Sequence, residues 1–371
     1  MTLICHFRTD TGADGTSVPI REKAHSGVSP AGAVKDAARG KLMEKSSSEK
    51  KEILLKAEGV YKEFPTGKKG QAVHAVNGVD LTIFHGETLA LVGESGCGKS
   101  TLGRTLIHML PLTDGIVTYR NQVISTMSDK VFRPLRPKMQ MIFQDPYASL
   151  DPRMTVRDII AEPLITYHVC KNREETTERV LQLMKAVGVP ADFIWRYPHQ
   201  FSGGQRQRIG IARAIALRPE LIVCDEPVSA LDVSVQSQVL NLLKDLQKKY
   251  GLTYLFIGHD LSVINFIADR VCVMFLGSVC EVAGKEDLYS RPLHPYTEFL
   301  LDAIPQPDPH RRGEKREVLS GEIPSPVNLP SGCCFRTRCP YATELCAKER
   351  PELRAVGNRF VACHHPLKQE G

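Results

Sequence analysis

Nothing in these 371 residues forms a run of about eighteen or more apolar residues, so no segment is expected to span a bilayer unaided. The first ten residues carry no apolar signal-peptide core, from which a cytoplasmic protein is expected. A dense basic tract is missing too. The formal net charge of +6 is mild and dispersed, which argues against a dedicated nucleic-acid binder and would suit an anionic membrane face. Apolar residues are scarce at the start: residues 1–50 hold only eight Val, Ile, Leu or Phe, with no clear period. Such a segment cannot bury enough surface to order itself, and a disordered tail is expected there.

What the chain does have is 42% apolar content, enough for real cores in two or three compact units. Of its eleven cysteines, six lie in the last quarter, at 280, 333, 334, 339, 346 and 363. In a cytoplasmic protein that clustering points to a metal or cluster site before a disulfide framework.

Residues 87–102, ETLALVGESGCGKSTL, read as an apolar strand, a glycine-rich turn and a helix starting near Lys99. From Gly93 to Ser100 they spell G-x-x-x-x-G-K-S, the phosphate-binding P-loop in the strand, loop and helix context it requires. Gly93, Gly96 and Gly98 let backbone N–H groups wrap phosphates without Cβ obstruction, and Glu94, Ser95 and Cys97 fill the loop between them. In such a loop Lys99 is placed to neutralise β and γ phosphate oxygens, the Ser100 hydroxyl can ligate Mg²⁺, and Thr101 follows in the first helical turn. Cys97 has two readings, a small side chain tolerated at a variable position or a redox role, and its place at a helix N-terminus predicts that alkylation would block nucleotide.

Residues 201–232, FSGGQRQRIGIARAIALRPELIVCDEPVSALD, hold several devices in one run. Ser202, Gly203 and Gly204 form a turn that can offer bare N–H groups to an anion at a helix start. The apolar residues 221–224 read as a buried strand that delivers Asp225 and Glu226 at its end, placed for metal and water chemistry. Two further strands end in polar residues: MQMIF before Gln144, whose amide can ligate Mg²⁺ or water, and TYLFIG before His259, whose imidazole can reach a γ-phosphate. Val180, Leu183, Met184 and Val187 are spaced for one helix face, stopped by Gly188 and Pro190. Residues 235–251 read as another helix, and residues 271–284 as a hairpin about Gly277-Ser278 that closes the domain.

Residues 201–232 resemble the signature motif, Walker B and D-loop of ABC-type ATPases, joined in the order that family uses. LHPYT (293–297), GEIPSP (321–326) and SGCCFRTRCP (331–340) resemble the C-terminal extension of oligopeptide and dipeptide permease ATPases, and the match runs from about residue 53 to 365. The resemblance implies an α/β fold: a P-loop ABC ATPase with an antiparallel β portion, a helical subdomain over about 145–215, and a small Cys-rich C-terminal extension. The expected division is a tail over 1–50, a nucleotide-binding domain over 51–285 and the extension over 286–371.

For the site, the resemblance implies that Phe64 stacks on adenine, with Tyr61 the weaker candidate and ordinary sheet packing the other reading of Phe64. Ser100 and Gln144 would hold Mg²⁺ with Asp225 behind it, Glu226 would orient or deprotonate water, and His259 would brace the γ-phosphate. Ser202, Gly203, Gly204, Gln205 and Asp232 would close the ATP site of a second ABC subunit, expected to be a heterodimer partner. Two transmembrane permease subunits and, indirectly, an extracytoplasmic peptide-binding protein complete the implied assembly on the cytoplasmic face of the inner membrane, with no nucleic acid. Oligopeptides are the implied cargo, followed by dipeptides, with nickel or glutathione as related cargoes. The family pattern of the extension falls on Cys333, Cys339, Cys346 and Cys363, where relatives carry a [4Fe-4S] cluster; the spacing alone leaves zinc or four reduced structural thiols open. A soluble repair or translation ATPase would usually hold two cassettes, and this chain has one Walker A motif. A non-enzymatic iron-sulfur sensor would need degenerate ATPase motifs, and none is degenerate here.

Overall fold

The computed structural model describes residues 51–68, 70–304 and 322–367; the tail expected over 1–50 lies outside them. Twelve strands among the described residues make two sheets. β1 (Ile53–Pro65), β2 (Ala72–Phe84), β4 (Asp114–Tyr119) and β5 (Gln122–Val123) form an antiparallel sheet in the order β2-β1-β4-β5. The larger sheet runs β11-β12-β10-β9-β3-β8-β7-β6. Its parallel part is β9 (Arg270–Phe275), β3 (Thr88–Val92), β8 (Thr253–Ile257), β7 (Leu221–Asp225) and β6 (Met139–Ile142). β3, β7 and β8 are buried at every position, which is why they read as unbroken apolar runs with no alternation.

Helices start where caps allow. α1 (Lys99–Leu106) opens on Gly98, whose φ of 98° lies in the left-handed region. α2 (Val156–Thr166) is capped by Thr155 and α3 (Arg173–Ala186) by Asn172, each side chain accepting a backbone N–H three residues on. α4 (Gly203–Ile215) carries a capping box, Ser202 with Gln205. α5 (Val233–Tyr250) runs from its Asp232 cap to a left-handed Gly251. The helical face expected from spacing is buried, with Val180, Met184 and Val187 at 0% exposure and Leu183 at 3%. α2, α3 and α4 share one continuous apolar core with the parallel strands, so the helical portion is fastened to the larger sheet.

Two differences from the sequence expectation stand out. The β9 turn falls on Leu276 and Gly277, one residue earlier than the Gly277-Ser278 pair, because both take positive φ (43° and 74°) as a type I′ hairpin requires. Nor does that hairpin close the sheet. β10 (Ser278–Gly284) pairs onward with β12 (Arg359–Val361), and β11 (Arg354–Val356) pairs with β12, so residues 354–361 extend the larger sheet. Between them, α6 (Pro295–Asp302) buries Tyr296 beside Phe335 and Phe275, with ring centroids 4.9–5.3 Å apart.

Candidate active site

Parallel strands leave their C-terminal ends on one rim, where ligands of open α/β sheets bind. Gly93 follows β3, Gln144 follows β6, Glu226 follows β7 and His259 follows β8 within two residues each, so one rim receives all four segments.

The phosphate loop is shaped by close backbone approach. A Cβ on Gly93 would stand 2.1 Å from the Met274 carbonyl oxygen, and one on Gly98 1.9 Å from that of Ala75. No other residue fits either place without moving the main chain. Lys99 is 5% exposed, and its ammonium donates to the Gly93 and Glu94 carbonyls at 2.8 and 2.9 Å. Those bonds keep it inside the ring of the loop, where a phosphate oxygen can take their place. Ser95 and Gly96 at the loop's apex are exposed, and Thr101 is half-buried. Cys97 is buried, and burial raises its thiol above the ordinary range. A covered thiol raised in this way is a weaker nucleophile, which favours the small-side-chain reading of Cys97.

Asp225 is fully buried and accepts twice, from the Ser100 hydroxyl at 2.6 Å and from the Arg104 guanidinium at 3.1 Å. With its proton directed at Asp225, Ser100 Oγ keeps its lone pairs free for a cation, so these donors fit Mg²⁺ in chemistry. Glu226 sits one residue on, with φ of 45°, uncommon for a side chain of this kind. That backbone turns its carboxylate away from the strand, where Gln144 Nε2 donates to it at 3.0 Å and His259 Nδ1 lies 3.4 Å from the same oxygen. Gln144 and His259 are exposed while Glu226 is half-buried, so the three form an acid-base cluster open to a ligand.

The Ser202 turn is built differently. Ser202 caps its own helix, a Cβ on Gly204 would meet Val235 Cγ1 at 2.3 Å, and Gly203 comes near Leu231. Asp232 caps the next helix, and the Val235 N–H and Ser234 hydroxyl hold its carboxyl below the usual range. The side chains of Ser202, Gln205 and Asp232 are thus engaged in capping their own two helices, while Gly203 lies near Leu231 and Tyr147. Phe64 leaves 37% of its surface exposed with the Lys62 ammonium 5.0 Å from its ring centroid, whereas Tyr61 packs on Gly78.

Cys333, Cys339, Cys346 and Cys363 line one pocket together with His294, His364 and His365. The donor types suit a soft metal centre. They are not assembled around a point: among the described residues no group of three or more His, Cys, Asp or Glu could hold a metal ion as it stands. Burial pushes the Cys333 and Cys363 thiols up to about 12 and about 11.

Sequence reading missed three groups here. Arg104 stands four residues after Ser100, on the same face of α1, a spacing that does mark it. Tyr296, whose hydroxyl accepts from the Glu94 N–H at 2.9 Å, and Arg338, bonded to the Glu94 carboxylate, have no such local signal.

Comparison with known proteins identifies the family. The ABC transporter family matches residues 76–229, and the family described as oligopeptide/dipeptide transporter, C-terminal region, matches residues 280–346. A putative oligopeptide transport ATP-binding protein of Bacillus subtilis is 55% identical over 84% of this chain and 95% of its own length. The Escherichia coli oligopeptide transport ATP-binding protein OppF is 53% identical over 79% of this chain and 88% of its own. Among solved structures, a dimeric post-hydrolysis ATP-binding cassette bound to ADP and Pi superimposes with a TM-score of 0.58 at 31% identity, over 62% of this chain and 99% of that one.

Proposed function

Because the chain belongs to the ATP-binding proteins of ABC transporters, in the group with the oligopeptide/dipeptide C-terminal region, we propose that it is the motor subunit of a peptide importer. It hydrolyses ATP to ADP and phosphate. The observation that carries the residue roles is the shared Glu226 oxygen, which meets both Gln144 and His259 beside the Ser100 and Asp225 pair.

In this reading Lys99 exchanges its loop carbonyls for β- and γ-phosphate oxygens. The Ser100 and Gln144 oxygens would hold Mg²⁺, which supplies charge neutralisation across those phosphates, and Asp225 fixes the Ser100 hydroxyl from behind. Glu226 accepts a hydrogen bond from the attacking water and receives its proton as the oxygen bonds to the γ-phosphorus. The bond from that phosphorus to the bridging oxygen breaks, and the electron pair leaves with ADP. His259 steadies the γ-phosphate, and Gln144 reports its presence to the loop that follows. Positioning and charge account for the acceleration, since phosphoryl transfer asks for little covalent help.

Ser202, Gly203, Gly204, Gln205 and Asp232 act on a neighbour's nucleotide in a head-to-tail pair, most simply with a second, different ATP-binding subunit. Two transmembrane permease subunits receive the motion, an extracytoplasmic peptide-binding protein hands over cargo, and the chain rests on the cytoplasmic face of the inner membrane. Among the described residues no helix is long and apolar enough to cross a membrane. Phe64 offers its open face to adenine. Cys333, Cys339, Cys346 and Cys363 would hold a [4Fe-4S] cluster, with zinc the alternative. Such a centre would need the segment with Cys333, Cys339 and Cys346 to close toward Cys363, which would couple its binding to local folding.

The test is uptake of labelled peptides by a strain lacking the gene, complemented with wild type or E226Q. Restored oligopeptide entry with wild type alone supports the proposal; unchanged uptake on deletion refutes it.

A further inference from the structure

The phosphate loop is braced from outside the cassette motifs. Arg338 Nη1 lies 3.0 and 2.9 Å from the two Glu94 carboxylate oxygens, across 244 residues of chain. Only 7% of the Arg338 side chain is exposed, against 24% for Glu94. The guanidinium rests 6.0 Å from the Phe275 ring centroid, on the aromatic cluster of Phe275, Tyr296 and Phe335. That same cluster supplies the Tyr296 hydroxyl that accepts the Glu94 N–H. One loop residue is therefore held at its amide and at its carboxylate by two residues of the C-terminal region.

The charge matters more than the tether. Glu94 is a carboxylate inside a loop that must receive the several negative charges of a triphosphate, and its own carbonyl already binds the Lys99 ammonium. An uncompensated anion there would repel the ligand and compete with it for Lys99. We propose that Arg338 is a positioning residue of the nucleotide site: by cancelling the Glu94 charge it keeps Lys99 and the loop free to receive phosphate, while Tyr296 holds the loop's backbone. The C-terminal region is then part of the ATP-binding apparatus as well as a covering for the sheet. This rests on the reading of residues 93–100 as the ATP phosphate loop.

The experiment is titration of full-length protein with a fluorescent ATP analogue. R338A is expected to bind about tenfold more weakly, as one uncompensated charge near an anionic ligand implies, and less so as salt screens the repulsion. R338M, which keeps an apolar stem over Phe275 without the charge, should show the same loss, and R338K should recover part of it. The double variant E94Q/R338A separates charge from support: its affinity should return to within about twofold of wild type, a coupling that independent sites do not show. R338A and R338M binding like wild type, or a double variant as weak as R338A, overturns the inference. Wild type that binds no ATP analogue overturns the ATP-site reading itself.

Discussion

The nucleotide rim and the cysteine pocket make opposite uses of the same chain. At the rim, groups from four strand ends already touch: Ser100 with Asp225 at 2.6 Å, Gln144 with Glu226 at 3.0 Å, Glu226 with His259 at 3.4 Å. In the pocket, four thiols face a common space without forming a ligand set. The rim inherits its precision from strands buried on both faces, whose side chains are close-packed against the layers above and below and so fix where each strand ends. The pocket is lined from turns, a five-residue helix and the residues just after β12, none of which fixes a thiol to better than a loop's freedom. A preassembled site can act on a passing substrate; a loose one suits a resident centre whose binding completes the fold.

That contrast can be broken at several points. E226Q should lower ATP turnover of the assembled transporter by about 10²–10⁴-fold while nucleotide binding stays nearly intact, because it removes the proton acceptor and leaves Lys99, Ser100 and the loop amides in place. Steady-state hydrolysis and analogue binding on the same sample check both halves. Next in size is the pocket: anaerobically purified wild type should carry iron and sulfide, and C346S should fall to background. A wild type with neither iron, sulfide nor zinc removes the resident centre from the comparison. G204V should destabilise by about 1–3 kcal/mol, since the new side chain meets Val235 where a Cβ alone stands at 2.3 Å, and thermal unfolding would read it.

The smallest effect concerns Asp232. Its folded carboxyl titrates below the unfolded value of about 3.8, so its contribution is complete above that value and is lost as pH falls through the folded one. D232A should therefore show a small drop in Tm at neutral pH that shrinks on acidification. A difference that grew on acidification would mean the cap does not titrate as the Val235 bond implies.

Much of the rim was legible because its motifs are contiguous. Residues 93–100 need only a turn and a helix start, and residues 221–226 only a buried strand with acids at its end. The Glu226 backbone was not legible, since positive φ in a glutamate leaves no mark in residue type. Arg338 and Glu94 meet across 244 residues, and no periodicity carries a contact of that span. β11 and β12 are three residues each, too short to show alternation, so the hairpin at 271–284 looked like the end of a sheet that in fact continues. The cysteine spacing located the pocket and left its geometry open.

That continuation has a practical side. Were the chain cut after residue 285, β10 would become an open sheet edge seven residues long, five of them buried in the intact protein. A bare apolar edge is a template for pairing with another chain. In the intact protein the outermost strand is instead Arg-Ala-Val, short and led by an exposed cation. The C-terminal region thus keeps the sheet from growing by addition of a neighbour, and the cassette trimmed to its ATPase motifs is expected to aggregate before it can be assayed.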